Sequence, residues 1–247
     1  MLLAVAAVLI AAFVAIELRS RNPLVPFGIF RLRTLTGANV VGLLVGASLF
    51  SMFFFISLYM QQVLGWSAIK SGLSYLPLAG SIILSAGVAS QLVTRIGFKQ
   101  VMAIGTALIA VALVWFAQVS PHGGFVADVL GPSVIAAVGL GFAFVTTTIA
   151  AVAGVEDRDS GLASGLINTT QQVGGALGLA VLSAISISVT GTSHAPDVLT
   201  RGFHDAFLAG AGIAVLALVA TLTLIRSSDS RAHVDLGAAP VAGESPA

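Results

Sequence analysis

The fold of this chain is decided by the stretch Gly161–Ser188, which reads GLASGLINTTQQVGGALGLAVLSAISIS. It is long and apolar enough to cross a bilayer as one helix, yet it carries a block of amides and hydroxyls at 168–172. On a helical wheel its polar and small residues share one side, and its larger aliphatic residues take the other. Because hydrocarbon offers an amide no hydrogen-bond partner, the polar side must face other helices or water. The stretch therefore predicts an interior helix of a membrane bundle.

The composition indicates a polytopic membrane protein, with the lipid bilayer as its first partner. Hydrophobic residues make up 57% of the chain and charged residues 9%, against the roughly 25% charged residues of a soluble domain. The sequence has no cysteine, which excludes disulfides, thiolate catalysis and cysteine metal sites. The net charge is +1 without a basic stripe that interleaves aromatic residues, so no nucleic acid partner is expected.

Hydropathy predicts an all-α membrane protein with seven transmembrane helices. The first apolar run, residues 1–17, is shorter than the roughly 20 residues a span needs, and we interpret it as a transmembrane helix whose beginning is missing. A cytoplasmic basic connector follows at 18–36, then a six-helix transmembrane bundle at 37–226 and a disordered cytoplasmic tail at 227–247. The six spans are Gly37–Leu58, Leu73–Val93, Val101–Val119, Val129–Val152, Gly161–Ser188 and Ala206–Ile225.

The distribution of basic residues predicts the orientation of the bundle. With these spans, nine of the 11 basic residues fall on one side and only Lys70 and Arg201 on the other. Positive residues are retained on the cytoplasmic side, so this side and the C-terminus are expected in the cytoplasm. The nine are Arg19, Arg21, Arg31, Arg33, Arg95, Lys99, Arg158, Arg226 and Arg231.

A short basic loop joins the second and third complete spans and contains Arg95-Ile-Gly97-Phe-Lys99. Glycine allows the tight turn, and the two cations suit the inner headgroups. The pattern resembles the second, weaker copy of the conformational loop motif of the major facilitator superfamily. Ser90 and Thr94 stand where that motif has Gly and Asp. The loop is thus either a conformational element or simple positive-inside anchoring.

Four segments together carry a stronger resemblance, namely Pro23–Arg31, Tyr59–Ala68, Ser71–Pro77 and Ser160–Gly178. In order and spacing they are similar to the C-terminal half of the fourteen-helix drug:proton antiporter branch of that superfamily. The resemblance implies that the first run is helix eight and that the other six helices form the C-terminal bundle. It also implies a cell-membrane efflux transporter with protons, a small amphipathic substrate and the missing N-terminal half as partners, and without a cofactor.

Five amide side chains are candidates for the substrate pathway. Asn168, Gln171 and Gln172 lie deep in the central stretch, where they would line a pathway or hydrogen bond between helices. Gln61 and Gln62 end the first complete span beside aromatic residues, where they would line the pathway or simply occupy the membrane interface.

Small residues at helical spacing predict close packing between helices. In the central stretch these residues are Gly161, Gly165, Gly174, Gly175 and Gly178.

Titratable groups deep in the predicted spans are missing, which bears on both coupling and catalysis. Proton coupling needs a carboxylate or histidine inside the bundle, so the proton site lies either in a missing half or at the outer mouth around His204, in a predicted loop, and Asp205. The metalloprotease, nucleophile-elbow and phosphate-loop patterns are absent, so no enzyme is expected. The alternative to a transporter is a non-transporting scaffold or an inactive gene fragment.

Overall fold

The computed structural model describes residues 2–20, 25, 27–193 and 195–231. Within these ranges the regular structure is entirely helical, as the sequence predicted. The α-helices are α1 (Leu2–Arg19), α2 (Arg33–Leu58), α3 (Ala68–Leu73), α4 (Leu76–Ile96), α5 (Phe98–Phe116), α6 (Gly131–Val152), α7 (Ser160–Thr190) and α8 (Pro196–Leu224). Short 3-10 helices occupy Phe27–Arg31 and Asp157–Asp159, and π-helical turns occupy Tyr59–Val63 and Phe125–Leu130.

Six helical segments in the described ranges are long and apolar enough to cross a membrane. They coincide with the six complete spans predicted, with α3 and α4 forming one segment and each π-helical turn extending a neighbouring α-helix. The first apolar run forms α1, which has 18 residues. The prediction of an all-α membrane bundle is confirmed.

The largest error in the predicted boundaries concerns α8, which begins at Pro196 instead of Ala206. Proline is well tolerated in the first turn of a helix, because its missing N–H would have no partner there. Leu199, Phe203 and Phe207 are buried at four-residue intervals, so the packed face of α8 continues beyond the apolar run. Hydropathy placed the start of this helix too late in the chain, because it required both faces of the helix to be apolar.

The core is formed where α2, α5, α6 and α8 meet. The Phe207 ring stacks on Phe116 of α5 at 5.4 Å between centroids and meets Phe55 of α2 at 6.0 Å. Gly105 of α5 and Gly139 of α6 bring these two backbones into direct contact. The spans that contain α4 and α7 are the least buried of the six, so these two helices lie at the margins of the bundle.

The structure changes two predicted boundaries, namely the start of the tail and the end of the connector. Residues 227–231 are helical, and Ser230 is only 5% exposed, so the start of the predicted disordered tail is in fact packed. Residues 232–247 lie outside the described residues. The predicted connector 18–36 is shortened at its C-terminal end, because α2 begins at Arg33; its prolines, Pro23 and Pro26, lie outside the described residues.

Candidate substrate pathway

The polar block of α7 is divided between two sides of the helix. One side, which we call the packed side, contains Thr170, Gln171, Gly174 and Gly178 and lies against α2. The other, the open side, contains Gly161, Gly165, Asn168 and Gln172. A helix turns by about 100° per residue, so neighbours in sequence face different surroundings.

The packed side brings α2 and α7 together through their backbones. A Cβ on Gly46 would lie within 3.0 Å of the Gln171 carbonyl, and a Cβ on Gly174 would meet the backbone of Leu43 equally closely. A Cβ on Gly178 would lie 2.5 Å from Ala47 Cα. Such close approach is available only to glycine, and it increases dispersion contacts between helices that the lipid does not otherwise drive together.

One polar contact on the packed side involves a residue that the sequence did not single out. The hydroxyl of Thr170 lies 3.1 Å from Asn39 Oδ1, and Asn39 Nδ2 donates to the Leu35 carbonyl at 2.9 Å. Asn39 is 6% exposed and Gln171 is 8% exposed. The lone amide in the apolar run of α2 was the available signal, but only the helix crossing identifies its partner.

The open side carries amides that no other helix of the described chain covers. Asn168 and Gln172 are both exposed, and Asn168 Nδ2 donates to the Ser164 carbonyl of its own helix at 3.0 Å. A Cβ on Gly161 or Gly165 would meet nothing within 4 Å. Of the five glycines expected to pack, Gly174, Gly175 and Gly178 therefore lie against α2, and these two do not lie against another helix here.

A second group of polar residues lines a pocket of about 220 Å³, which lies at the C-terminal ends of α2 and α7 and the N-terminal part of α8. Gln62 lines this pocket together with hydroxyl-bearing residues of α7, of which Ser186 and Thr190 are largely buried. Gln61 does not line it, and its Nε2 donates to Ser57 Oγ at 2.9 Å. The apolar part of the wall includes Phe54, Phe55, Leu58 and Phe203, which sequence reasoning did not identify.

The pathway candidates therefore occupy two places and do not form one cluster. Gln172 and Ser186 are fourteen residues apart on α7, which corresponds to about 21 Å along a helix. An amphipathic molecule would meet amides at the first place and a small, largely apolar pocket with hydroxyl groups at the second.

The basic loop packs against the end of α8. Gly97 has φ +84°, and a Cβ there would collide with Ser230 Oγ. The backbone N–H of Lys99 donates to Ser230 Oγ at 3.2 Å, and its Nζ donates to the Leu222 carbonyl at 2.9 Å. A cation at the carbonyl end of a helix is favourable because of the helix dipole. Arg95 is exposed.

The candidate proton site at the outer mouth is built differently from the prediction. His204 belongs to α8 and not to a loop, and its Nδ1 lies 2.6 Å from the Ala117 carbonyl at the end of α5. Asp205 is the next residue of the same helix and is half-buried. In the described ranges no group of three or more His, Asp or Glu residues forms a metal site.

The sequence profile of the Major Facilitator Superfamily matches residues 1–179 of the chain. Among similar proteins, the cephamycin export protein of Amycolatopsis lactamdurans is 37% identical over 215 residues, which cover 86% of this chain and 43% of that protein. The lincomycin resistance protein of Streptomyces lincolnensis is 35% identical, with coverage of 86% and 44%. The tetracenomycin C resistance and export protein of Streptomyces glaucescens is 33% identical, with coverage of 76% and 35%. The chain thus spans less than half the length of these relatives.

Proposed function

This chain belongs to the Major Facilitator Superfamily, and from that premise we propose that it forms the C-terminal half of a drug-efflux transporter of the fourteen-helix antiporter branch. The family indicates a multi-pass cell-membrane transport protein, not an enzyme, as expected from the sequence. Three of the relatives are named for the export of, or resistance to, an antibiotic, which supports an amphipathic drug or metabolite as the substrate. The excess of basic residues at one end supports a cytoplasmic C-terminus.

The open side of α7 is the observation that carries this proposal. Asn168 and Gln172 are exposed within a span, although an amide loses its hydrogen-bonding partners in hydrocarbon. A second helical bundle with water between the two would provide partners and would place both amides beside a pathway. Val173 and Leu177 occupy a different side of α7, are also exposed, and are suited to lipid.

The test measures transport by an Asn168→Ala/Gln172→Ala variant of the whole protein that the native gene encodes. Efflux of a fluorescent amphipathic dye should fall by up to about tenfold per lost hydrogen bond, while the amount of protein in the membrane stays unchanged. Val173→Ala is the matched control, because it truncates another exposed residue of the same helix. Efflux at the wild-type rate in the double variant would contradict the role of the open side.

Proton coupling is the finer part of the proposal and is tested separately. A protonophore should abolish efflux by the wild-type protein, whereas depletion of ATP with the proton gradient maintained should not. If the protein is instead a scaffold or an inactive fragment, neither treatment will change dye accumulation. An immunoblot of the native product then separates these cases, since a half-transporter belongs to a chain about twice the 25.0 kDa of this one.

A further inference from the structure

Three arginines surround a polar pocket at the end of the bundle where α2 begins and α8 ends. The pocket has a volume of about 280 Å³, and Arg31, Arg33 and Arg226 lie in its wall together with Asp229. The residues come from three parts of the chain, namely the 3-10 helix before α2, the first turn of α2 and the segment after α8. Tertiary folding therefore collects these charges into one cavity.

The pocket contains more positive charge than its own acidic residue neutralises. Asp229 accepts hydrogen bonds from the hydroxyls of Thr34 and Ser228. Within the described ranges, no carboxylate oxygen comes within 4.0 Å of a guanidinium nitrogen of the three arginines. Arg33 donates one hydrogen bond, from Nη2 to the Thr223 carbonyl at 3.1 Å. Three cations and one anion leave two positive charges to be matched by something else.

The position of the pocket relative to the spans indicates which kind of anion would match these positive charges. The first complete span begins at Arg33 and the last ends at Leu224, so the pocket lies at the depth of the lipid headgroups. Leu32, which is 36% exposed, lies in its wall, and Phe30, which is 38% exposed, immediately precedes Arg31 in the chain. A ligand there would place an anionic group in the pocket and hydrocarbon against these side chains.

We propose that this pocket binds the phosphate group of an anionic phospholipid. Guanidinium groups donate paired hydrogen bonds that match phosphate oxygens, and they bind phosphate more specifically than simple surface charge does. Basic pockets between transmembrane helices are suited to anionic lipid headgroups. This inference requires that the chain spans a membrane, and it is independent of the proposed transport activity.

The experiment measures the affinity of phosphatidylglycerol for the detergent-extracted protein, expressed from its own gene, by native mass spectrometry. Arg31→Gln and Arg226→Gln should each weaken binding about fivefold. Arg31→Lys should weaken it by less, because the ammonium group keeps the charge but cannot donate the paired hydrogen bonds. Arg158→Gln is the matched control, because Arg158 is an exposed arginine at the same end of the bundle that pairs with Glu156 at 2.9 Å. Phosphatidylcholine, which has no net charge, should bind more weakly than phosphatidylglycerol in every variant that keeps the three arginines.

A variant with the opposite expected sign guards against effects of misfolding. Asp229→Asn removes the competing carboxylate and should tighten phosphatidylglycerol binding. Equal weakening by Arg158→Gln and Arg31→Gln would overturn the proposal, because general surface charge would then suffice. Weakening by Asp229→Asn would also overturn it. If inorganic phosphate displaces the lipid completely and stabilises the protein equally well in phosphatidylcholine, the ligand is soluble phosphate and the lipid assignment is wrong.

Discussion

Gln171 and Gln172 are adjacent in sequence, but α7 places them in opposite circumstances. Gln171 lies on the packed side, 8% exposed against α2, whereas Gln172 lies on the open side and is exposed. The packed side is complete within this chain, since glycine contacts and the Asn39–Thr170 pair occupy it. The open side has its polar groups in place, and no other helix of the described chain covers them. The comparison shows that one amphipathic stretch packs against α2 on one side and leaves its other side uncovered by any described helix.

The largest expected effect comes from breaking the packed side with Gly174→Leu. The new side chain would collide with the Leu43 backbone, which cannot move aside as a flexible side chain can. We expect a loss of about 3 kcal/mol or more of stability, hence little folded protein in size-exclusion chromatography. Gly212→Leu in α8 is the control, because nothing lies within 4 Å of that position. Equal yields of the two variants would show that α2 and α7 do not meet as described.

Cysteine labelling sharpens the comparison, and the chain lends itself to it because it has no native cysteine. In membranes, Asn168→Cys should react with a water-soluble maleimide, since the reactive thiolate requires water. Gln171→Cys should be protected by α2, and Val173→Cys should be protected by lipid although Val173 is 47% exposed. Labelling of all three positions alike would mean that α7 lacks two distinct sides.

The smallest expected effect concerns the hydrogen bond between Thr170 of α7 and Asn39 of α2. A double-mutant cycle of Asn39→Ala and Thr170→Val should give a coupling of about 0.6 kcal/mol, the typical value for hydrogen bonds between membrane helices. Thr169→Val is the control for the second substitution. Both hydroxyls can donate to carbonyls of α7, Thr169 to Gly165 at 2.8 Å and Thr170 to Leu166 at 3.0 Å, but only Thr170 also contacts Asn39 among the described residues. Unfolding in a denaturing detergent measures all the variants. Equal coupling of Asn39 to Thr169 would contradict a specific hydrogen bond between Asn39 and Thr170.

Hydropathy alone was sufficient to predict the helical class and the six complete spans, because about 20 apolar residues leave few alternatives. It could not predict that α8 begins at Pro196, because His204 and Asp205 follow the buried Phe203 and interrupt the apolar run. Polar residues are tolerated at the end of a span, and only the continued packing of one face reveals that the helix extends there. Nor could hydropathy predict that the segment after α8 is packed, because Ser230 accepts a hydrogen bond from Lys99, which is distant in sequence.

The candidate site was predicted in its residue types but not in its arrangement. A helical wheel placed Asn168, Gln171 and Gln172 on one side, whereas the structure buries Gln171 against α2 and exposes the other two. The direction from which α2 approaches then divides that side, and this direction depends on glycines in both helices. The separation of Gln62 from these amides agrees with the sequence, which placed Gln62 at the end of one span and the amides deep in another.

The backbone contact between α2 and α7 also has a mechanical consequence. Where side chains separate two helices, rotamer changes let one slide past the other, but two backbones in contact have nothing soft between them. The pair should therefore move as a single lever. Gly154 and Gly191 bracket α7 with φ of +78° and +54°, a region of backbone conformation that favours glycine. Any tilting of α7 would then carry α2 with it, with the backbone rotating in the two loops that contain these glycines.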